Sequence, residues 1–432
     1  MSVLFTNVTA LLMDADFTTL KSGFVAVEGT AITYVGTDRP EGSFDEVIDC
    51  TGQVMMPGFV NTHTHIPMTL LRGYGGGHNL QTWLQDYIFP AEAKFDARAV
   101  AAGTGLGLAE MIASGVTCIA DMYFHTDMIA KQILDAGISA NLCSGGVYFG
   151  APADFSPDRC NDCNVLQSLT AEWHNADNGR IRIDASIHGE YTSNAPLWQW
   201  MADYSQAHGL RMHAHVSETK SEHADSLSRN GLTPLQALNK YGAWENGGIA
   251  AHCVYTTAED WALMVEKDVT AVHNPYSNLK LGSGVAPIPA ILKAGVNVSL
   301  GTDGMSSHNS TDLFADMKLA AILHNGVSCD PMALTARNAL EMATVNGAKA
   351  LGRNTGRIAV GCDADLILVD FEVPNLIPCH DAAENLVFSA NGSNVVMNMA
   401  RGKVIYRNGE FLTLDLERIK DEVRRYALPL IF

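Results

Sequence analysis

No stretch of this 432-residue chain approaches the roughly 20 consecutive apolar residues that a membrane-spanning helix needs, so no helical span is expected. Positive charge is scarce: 28 Lys and Arg face 47 Asp and Glu, a net charge of −19. That balance opposes binding to nucleic acid or anionic lipid and leaves a neutral or cationic small molecule as the expected partner. Cysteine is thin as well. Nine residues, an odd number spread from Cys50 to Cys379, lack the density of a secreted disulfide scaffold and read as reduced thiols. The first residues, MSVLFTNVTALLMDADF, have no basic segment and alternate like a strand, so no signal peptide is read and a cytoplasmic location is expected. Cys160 and Cys163 in RCNDCN have the spacing of a metal or redox pair, but no second pair follows and the stretch reads as a surface loop.

What is present falls into three parts. Residues 1–56 read as short strands with turn punctuation (VLFTNVTALLM, GFVAVEGTAITYVG, FDEVIDCTGQVMM). The same texture returns over residues 356–432, in GRIAVGCDADLILVDF and NVVMNMARGKVIYRNGEFL, where Asn-Gly marks a hairpin turn. Both ends are therefore expected to build one small β-sandwich domain, with a helix at the C-terminal end. Between them, residues 57–355 alternate apolar strands with helices, which argues for a parallel sheet with helical crossovers. The strands are VMMPGFVNTH, VTCIAD, ISANLC, IRIDASIH, RMHAHV, GIAAHC, VTAVHN and NVSLGTD. Eight such units match a (β/α)8 barrel, the expected α/β fold; an open doubly wound sheet seldom needs so many parallel strands.

Barrel strands fill their interior with apolar side chains, yet these strands end in His63 and His65, His188, His213 and His215, His252, His273 and Asp303. The C-terminal ends of the strands form the catalytic face of such a barrel. Period-two geometry puts His63 and His65 on one face, close enough to share a cation. His-x-His alone is a weak signal, and it gains force only when further ligands converge on it. His215 and Asp303 are the candidates, giving three imidazoles and one carboxylate around a divalent metal with room for water. Zinc is the first expectation, and iron would accept the same set. Glu218, three residues after His215, is placed to work beside the metal without occupying it.

At this point the sequence resembles the amidohydrolase superfamily, in particular its 5′-methylthioadenosine and S-adenosylhomocysteine deaminases and the related triazine hydrolases. The motifs that carry the resemblance are PGFVNTHTH, WLQDYIFPAEAKF, SIHGEYTSNAP, HAHVSET, AAHCVYT, HNPYSNLKLGSG and LGTDGMSSHNS, in family order over nearly the whole chain. The resemblance implies that His63, His65, His215 and Asp303 hold one metal, that His252 lies beside the metal-bound water and that Glu218 is the proton shuttle. It also implies that His188 and Glu92 bind substrate, with Glu92 at the ribose hydroxyls and Trp83 lining the same pocket. The plain alternative for Glu92 is a carboxylate at a helix N-terminus. Family members are often homo-oligomers, although no patch of this sequence marks an interface. A second amidohydrolase plan uses two metals bridged by a modified lysine on a middle strand. No lysine lies between Lys131 and Lys220, which favours the mononuclear, deaminase-like site.

The chemistry also follows from the residue types. A metal can bring the pKa of bound water to about 7, making hydroxide available. Asp303 can accept the water proton and Glu218 can protonate a ring nitrogen, the two proton transfers that adding water across an aminated ring requires. His252 would orient the hydroxide and stabilise the tetrahedral intermediate. The expected activity is deamination of an adenine nucleoside: adenosine, 5′-deoxyadenosine, 5′-methylthioadenosine or S-adenosylhomocysteine. The last is disfavoured because Arg159 is the only arginine in NLCSGGVYFGAPADFSPDRCNDC, where a guanidinium for the amino-acid carboxylate would be sought. The alternatives are an aminohydrolase or chlorohydrolase of a pterin, guanine or triazine ring, and a catalytically silent metal-binding protein of the same fold. The glycine run RGYGGGHNL reads as a flexible loop that could act as a lid, and the Trp198, Trp200, Met201 stripe as helix packing.

Overall fold

A computed structural model describes residues 2–432. Strands from both chain ends pair within one nine-stranded sheet. From the beginning come β1 (Ser2–Leu11), β2 (Thr19–Glu28), β3 (Ala31–Gly36), β4 (Glu46–Asp49) and β5 (Gln53–Pro57). The central strands are β6 (Phe59–His65), β7 (Val116–Met122), β8 (Ser139–Cys143), β9 (Ile181–Ile183), β10 (Ala185–Gly189), β11 (Met212–Val216), β12 (Gly248–His252), β13 (Val269–His273), β14 (Val298–Leu300) and β15 (Asp303–Gly304). The end of the chain adds β16 (Leu366–Asp370), β17 (Val395–Ala400), β18 (Lys403–Arg407) and β19 (Glu410–Phe411). Antiparallel β5 and β16 join the two ends, with Pro57 opposite Leu366 and Gln53 opposite Asp370. Val3, Phe5 and Val25 share an apolar cluster with Leu366, Leu368 and Met399. Asn408 and Gly409, both at positive φ (49° and 88°), make the tight turn between β18 and β19 that Asn-Gly favours.

The central strands are parallel and form two five-stranded sheets, ordered β15-β6-β7-β8-β9 and β10-β11-β12-β13-β14. A single residue, Asp184, separates β9 from β10, and Gly301 and Thr302 separate β14 from β15. The sequence strands IRIDASIH and NVSLGTD are thus each interrupted. At the second break a Cβ on Gly301 would sit 2.8 Å from the His63 Cβ, so only glycine lets the backbone pass this histidine. Helices cross between strands, among them Ala97–Ala113, Thr126–Ala136, Asn161–Trp173, Ala195–His208, Ala258–Glu266 and Leu313–Ser328. Nearly every residue of β6, β7, β8, β11, β12 and β13 is buried, as expected of parallel strands covered on both faces. Phe59 meets Phe314 edge to face at 4.8 Å, a contact worth about 0.5–1.5 kcal/mol beyond area burial.

The surface-loop reading of Cys160 and Cys163 is corrected: both thiols are buried, Cys163 fully, because the stretch opens the helix Asn161–Trp173 and turns them into the core. Trp198 and Met201 are buried packing residues of the helix Ala195–His208. No helix among the described residues is long and apolar enough to cross a membrane.

Candidate metal centre and active site

Strand periodicity assembles the histidine cluster. His63 and His65 leave β6 on one side, and His213 and His215 leave β11 likewise. The rings of His65 and His215 each lie 4.8 Å from that of His63. Asp303, paired in register with Thr64, brings its carboxylate to the same point. Asp303 and His252 both have left-handed backbones, φ 62° and 76°, and such strain in non-glycine residues concentrates at functional sites.

The approaching atoms are three imidazole Nε2 atoms and one carboxylate oxygen. Asp303 Oδ1 lies 3.4 Å from His63 Nε2 and 3.2 Å from His65 Nε2, which is itself 3.3 Å from His215 Nε2. Donor atoms about 2.0–2.1 Å from a shared ion commonly lie about 3–3.5 Å apart, so these three spacings suit a single ion, and His63 also groups with His215 and His252. The far side of each ring is committed. His65 Nδ1 donates to the Met122 carbonyl and His215 Nδ1 to the His188 carbonyl, both at 2.6 Å, which in the neutral rings leaves the Nε2 atoms as lone pairs. His63 Nδ1 pairs with His213 Nε2 at 2.8 Å, while His63 Nε2 is buried without a hydrogen-bond partner. A cation would relieve that orphaned nitrogen. Asp303 Oδ2 accepts from Ser277 Oγ at 2.6 Å and Ser307 Oγ at 3.0 Å, so Oδ1 is the oxygen facing the imidazoles.

The electrostatics agree with this geometry. Burial pushes His63 down to about 3, whereas in His65 burial is outweighed by the Asp303 carboxylate, which raises it to about 9. Burial alone would raise Asp303, but the two imidazoles hold it well below the usual carboxylate range. The two partners of one carboxylate shift in opposite directions: burial dominates at His63, with repulsion from a charged His65 adding to it, while at His65 the Met122 carbonyl and Asp121 reinforce Asp303. A divalent cation meets the demand for positive charge without that conflict.

Around the cluster opens a cleft of about 990 Å³, counting its mouth. Glu218, His252, His188, Glu92 and Trp83 all line it with His65, His215 and Asp303. Glu218 Oε2 lies 3.8 Å from His252 Nε2, and Glu218 Oε1 accepts from Ser283 Oγ at 3.2 Å. Burial raises the Glu218 pKa, the direction a general acid needs. His252 Nδ1 pairs with Asn278 Oδ1 at 2.8 Å, which turns Nε2 to the cleft as a lone pair. His188, with its ring centroid 4.6 Å from that of His215, is lowered to about 4 by burial and so stays neutral. Glu92 ends a helical run over residues 80–92 and accepts a hydrogen bond from the Tyr123 hydroxyl; burial pushes it up to about 7. Its carboxyl lines the cleft rather than merely capping a helix. His273 lies apart, paired with His324 at 3.1 Å, and His308 pairs with Asp316 at 2.9 Å.

Several supporting residues carried no assignment from sequence: Tyr123, Ser277, Asn278, Ser283, Ser307 and Glu222. Glu222 accepts the backbone N–H groups of Ser217 and Glu218 at 2.8 and 2.7 Å, fixing the turn that presents Glu218. Ser277, Asn278 and Ser283 fall inside HNPYSNLKLGSG, a motif visible in the sequence whose individual partners were not.

The fold and the site define the class: the chain belongs to the amidohydrolase family, which matches residues 54–405. Among curated relatives it is 40% identical over 429 residues to a 5′-deoxyadenosine deaminase of Methanosarcina mazei, covering 99% of this chain and 98% of that one. It is 41% identical over 408 residues to a 5-methylthioadenosine/S-adenosylhomocysteine deaminase of Moorella thermoacetica, covering 93% and 94%. Among solved structures it superposes on an adenosine deaminase from Xanthomonas campestris with bound zinc, with a TM-score of 0.93, 31% identity and coverage of 99% and 98%.

Proposed function

We propose that this protein is a metal-dependent hydrolase that deaminates adenine nucleosides, converting the nucleoside and water to the inosine analogue and ammonia. The observation that carries the reading is the convergence of His63, His65, His215 and Asp303 in a cleft that also presents Glu218 and Glu92. His63, His65, His215 and Asp303 would hold one divalent ion, zinc in our assignment, with iron(II) compatible with the same donors. When bound, that ion supplies the Lewis acidity that makes water nucleophilic near neutral pH.

The remaining roles belong to the chain. Glu218 delivers a proton to the ring nitrogen adjacent to the carbon under attack, which its raised pKa favours. Asp303 receives the proton of the attacking water and passes it to the departing amine. His252 Nε2 accepts a hydrogen from that water and orients it, held in place by Asn278. Glu92 accepts the ribose hydroxyls, Trp83 covers the sugar and neutral His188 faces the base. A triazine, pterin or guanine substrate would leave Glu92 without a diol to bind.

The architecture proposed to carry this site is a closed eight-stranded barrel over residues 57–355. In it β9 runs into β10 and β14 into β15 as interrupted strands, while residues 1–56 and 356–432 fold over as a small sandwich. The pairing of β15 with β6 supports closure. The test is ammonia release and loss of the adenine ultraviolet band across purine nucleosides and free aminated heterocycles, with metal-loaded protein. Turnover of adenine nucleosides is expected; turnover of the free heterocycles alone would refute the reading.

A further inference from the structure

Away from the metal cluster the cleft lining carries no fixed positive charge. Glu92, Asp162, Glu218 and Asp303 reach it, and no lysine or arginine does. Three of these carboxylates have roles in the reading above. Asp162 has none, and it is not a bystander in an open loop: it lies in the first turn of the helix Asn161–Trp173, half-buried. Asp162 Oδ2 accepts the Val147 backbone N–H at 2.7 Å and Oδ1 accepts from Asn161 Nδ2 at 3.2 Å, which pins the loop after β8 to that helix. Burial pushes its carboxyl upward against these two hydrogen bonds, and no neighbouring cation contributes.

A nucleoside with its ring amine at the metal cluster and its ribose at Glu92 leaves a limited part of the wall for the 5′ substituent. Leu80, Leu84 and Phe89 share the helical run 80–92 with Glu92 and line the cleft together with Val147 and Asp162, and we take this group, four apolar side chains and one carboxylate, as that wall. Phe89 and Val147 are 45% and 36% exposed, so solvent partly screens a charge here, though less than on an open surface. A carboxylate or phosphate entering this end would meet Asp162 with no cation to pair it, whereas a methyl or methylthio group would meet the apolar wall.

We propose that Asp162 determines substrate choice by charge: the 5′ subsite takes an uncharged or cationic substituent and rejects an anionic one. The proposal rests on the adenine-nucleoside reading. It goes beyond it by naming the class of nucleoside and by assigning a specificity-determining role to a residue outside the histidine cluster. Asp162→Asn is the informative variant, because its Oδ1 can still accept the Val147 N–H while the charge is gone.

The experiment compares three adenosine analogues of similar size: 5′-deoxyadenosine, 5′-amino-5′-deoxyadenosine and adenosine-5′-carboxylic acid. Both kcat/KM and, by calorimetry, Kd are measured on metal-loaded wild type and Asp162→Asn. In the wild type the carboxylate is expected to be disfavoured relative to the neutral analogue by roughly tenfold, as for a close, partly screened charge pair. The variant should shrink the neutral-to-carboxylate ratio by roughly tenfold and lower the amine-to-neutral ratio. Ratios within one protein cancel any general loss from imperfect folding. Equal acceptance of the carboxylate by the wild type, or ratios unmoved in the variant, overturns the proposal. If no analogue is turned over, the deaminase reading fails, and the Kd ratios alone still decide whether Asp162 selects by charge.

Discussion

At the scale of single residues, chemistry is set by what each side chain is forbidden to do. Glu218 is buried at the floor of the cleft, so burial keeps its proton affinity high, and Ser283 with the Glu222-held backbone positions its carboxyl. Glu218→Gln keeps the shape and removes the transferable proton. We expect kcat to fall by roughly 10²–10⁴-fold, the usual worth of a positioned acid, with KM and metal content nearly unchanged. Steady-state kinetics beside metal analysis check this, and retained kcat would remove Glu218 from the mechanism. Residue spacing made the histidine pair and Glu218 legible in the sequence, because each lies two or three positions from another candidate. Tyr123 was not legible, since its partner Glu92 lies 31 residues away and nothing in either neighbourhood encodes the meeting.

At the scale of elements, β11 shows one strand serving two layers. In MHAHV, His215 faces the cluster while His213 stands behind His63, its Nε2 on His63 Nδ1 and its Nδ1 3.5 Å from Cys143 Sγ. The sequence showed that His213 shares a face with His215, but not that it supports a ligand on a different strand, because that contact depends on how β6 and β11 sit across the interior. His213→Ala should weaken metal affinity by about 10–100-fold, the loss typical of second-layer partners, and competition with a chromophoric chelator measures it. Affinity equal to wild type would leave His213 as packing only. The interrupted strands were invisible for a related reason. Asp184 continues the apolar alternation of its neighbours, and its burial against Asn141, with two contacts at 2.9 and 3.1 Å, comes from β8 rather than from local sequence.

At the scale of the whole molecule, buried carboxylates couple the fold to pH. Asp365 lies where the central strands meet the terminal sheet: its carbonyl accepts the Gly58 N–H at 2.9 Å and its Oδ1 the Arg401 N–H at 2.6 Å. Burial raises it to about 6. An unfolded aspartate releases its proton near pH 4, so between about 4 and 6 the native state binds the extra proton. Stability from this group therefore falls as pH rises through that window and stays lost above it. The Asp365→Asn variant should show a smaller decline of Tm between those pH values than the wild type, by differential scanning calorimetry at matched metal content. Parallel Tm profiles would contradict the assignment. The two-ended origin of the terminal sheet was legible from strand texture, whereas the pairing of β5 with β16 was not, because neither sequence specifies its neighbour.

That pairing also sets a timetable. Residues 53–57 wait for residues 366–370 before β5 has its antiparallel neighbour. At roughly 5–20 residues per second, a ribosome takes on the order of tens of seconds to deliver the second strand after the first. During that interval the exposed edge of β5 is a template for pairing with other nascent chains, and the long sequence separation slows closure even after release. The yield of active protein from the cell therefore depends on how well that one edge is shielded during synthesis.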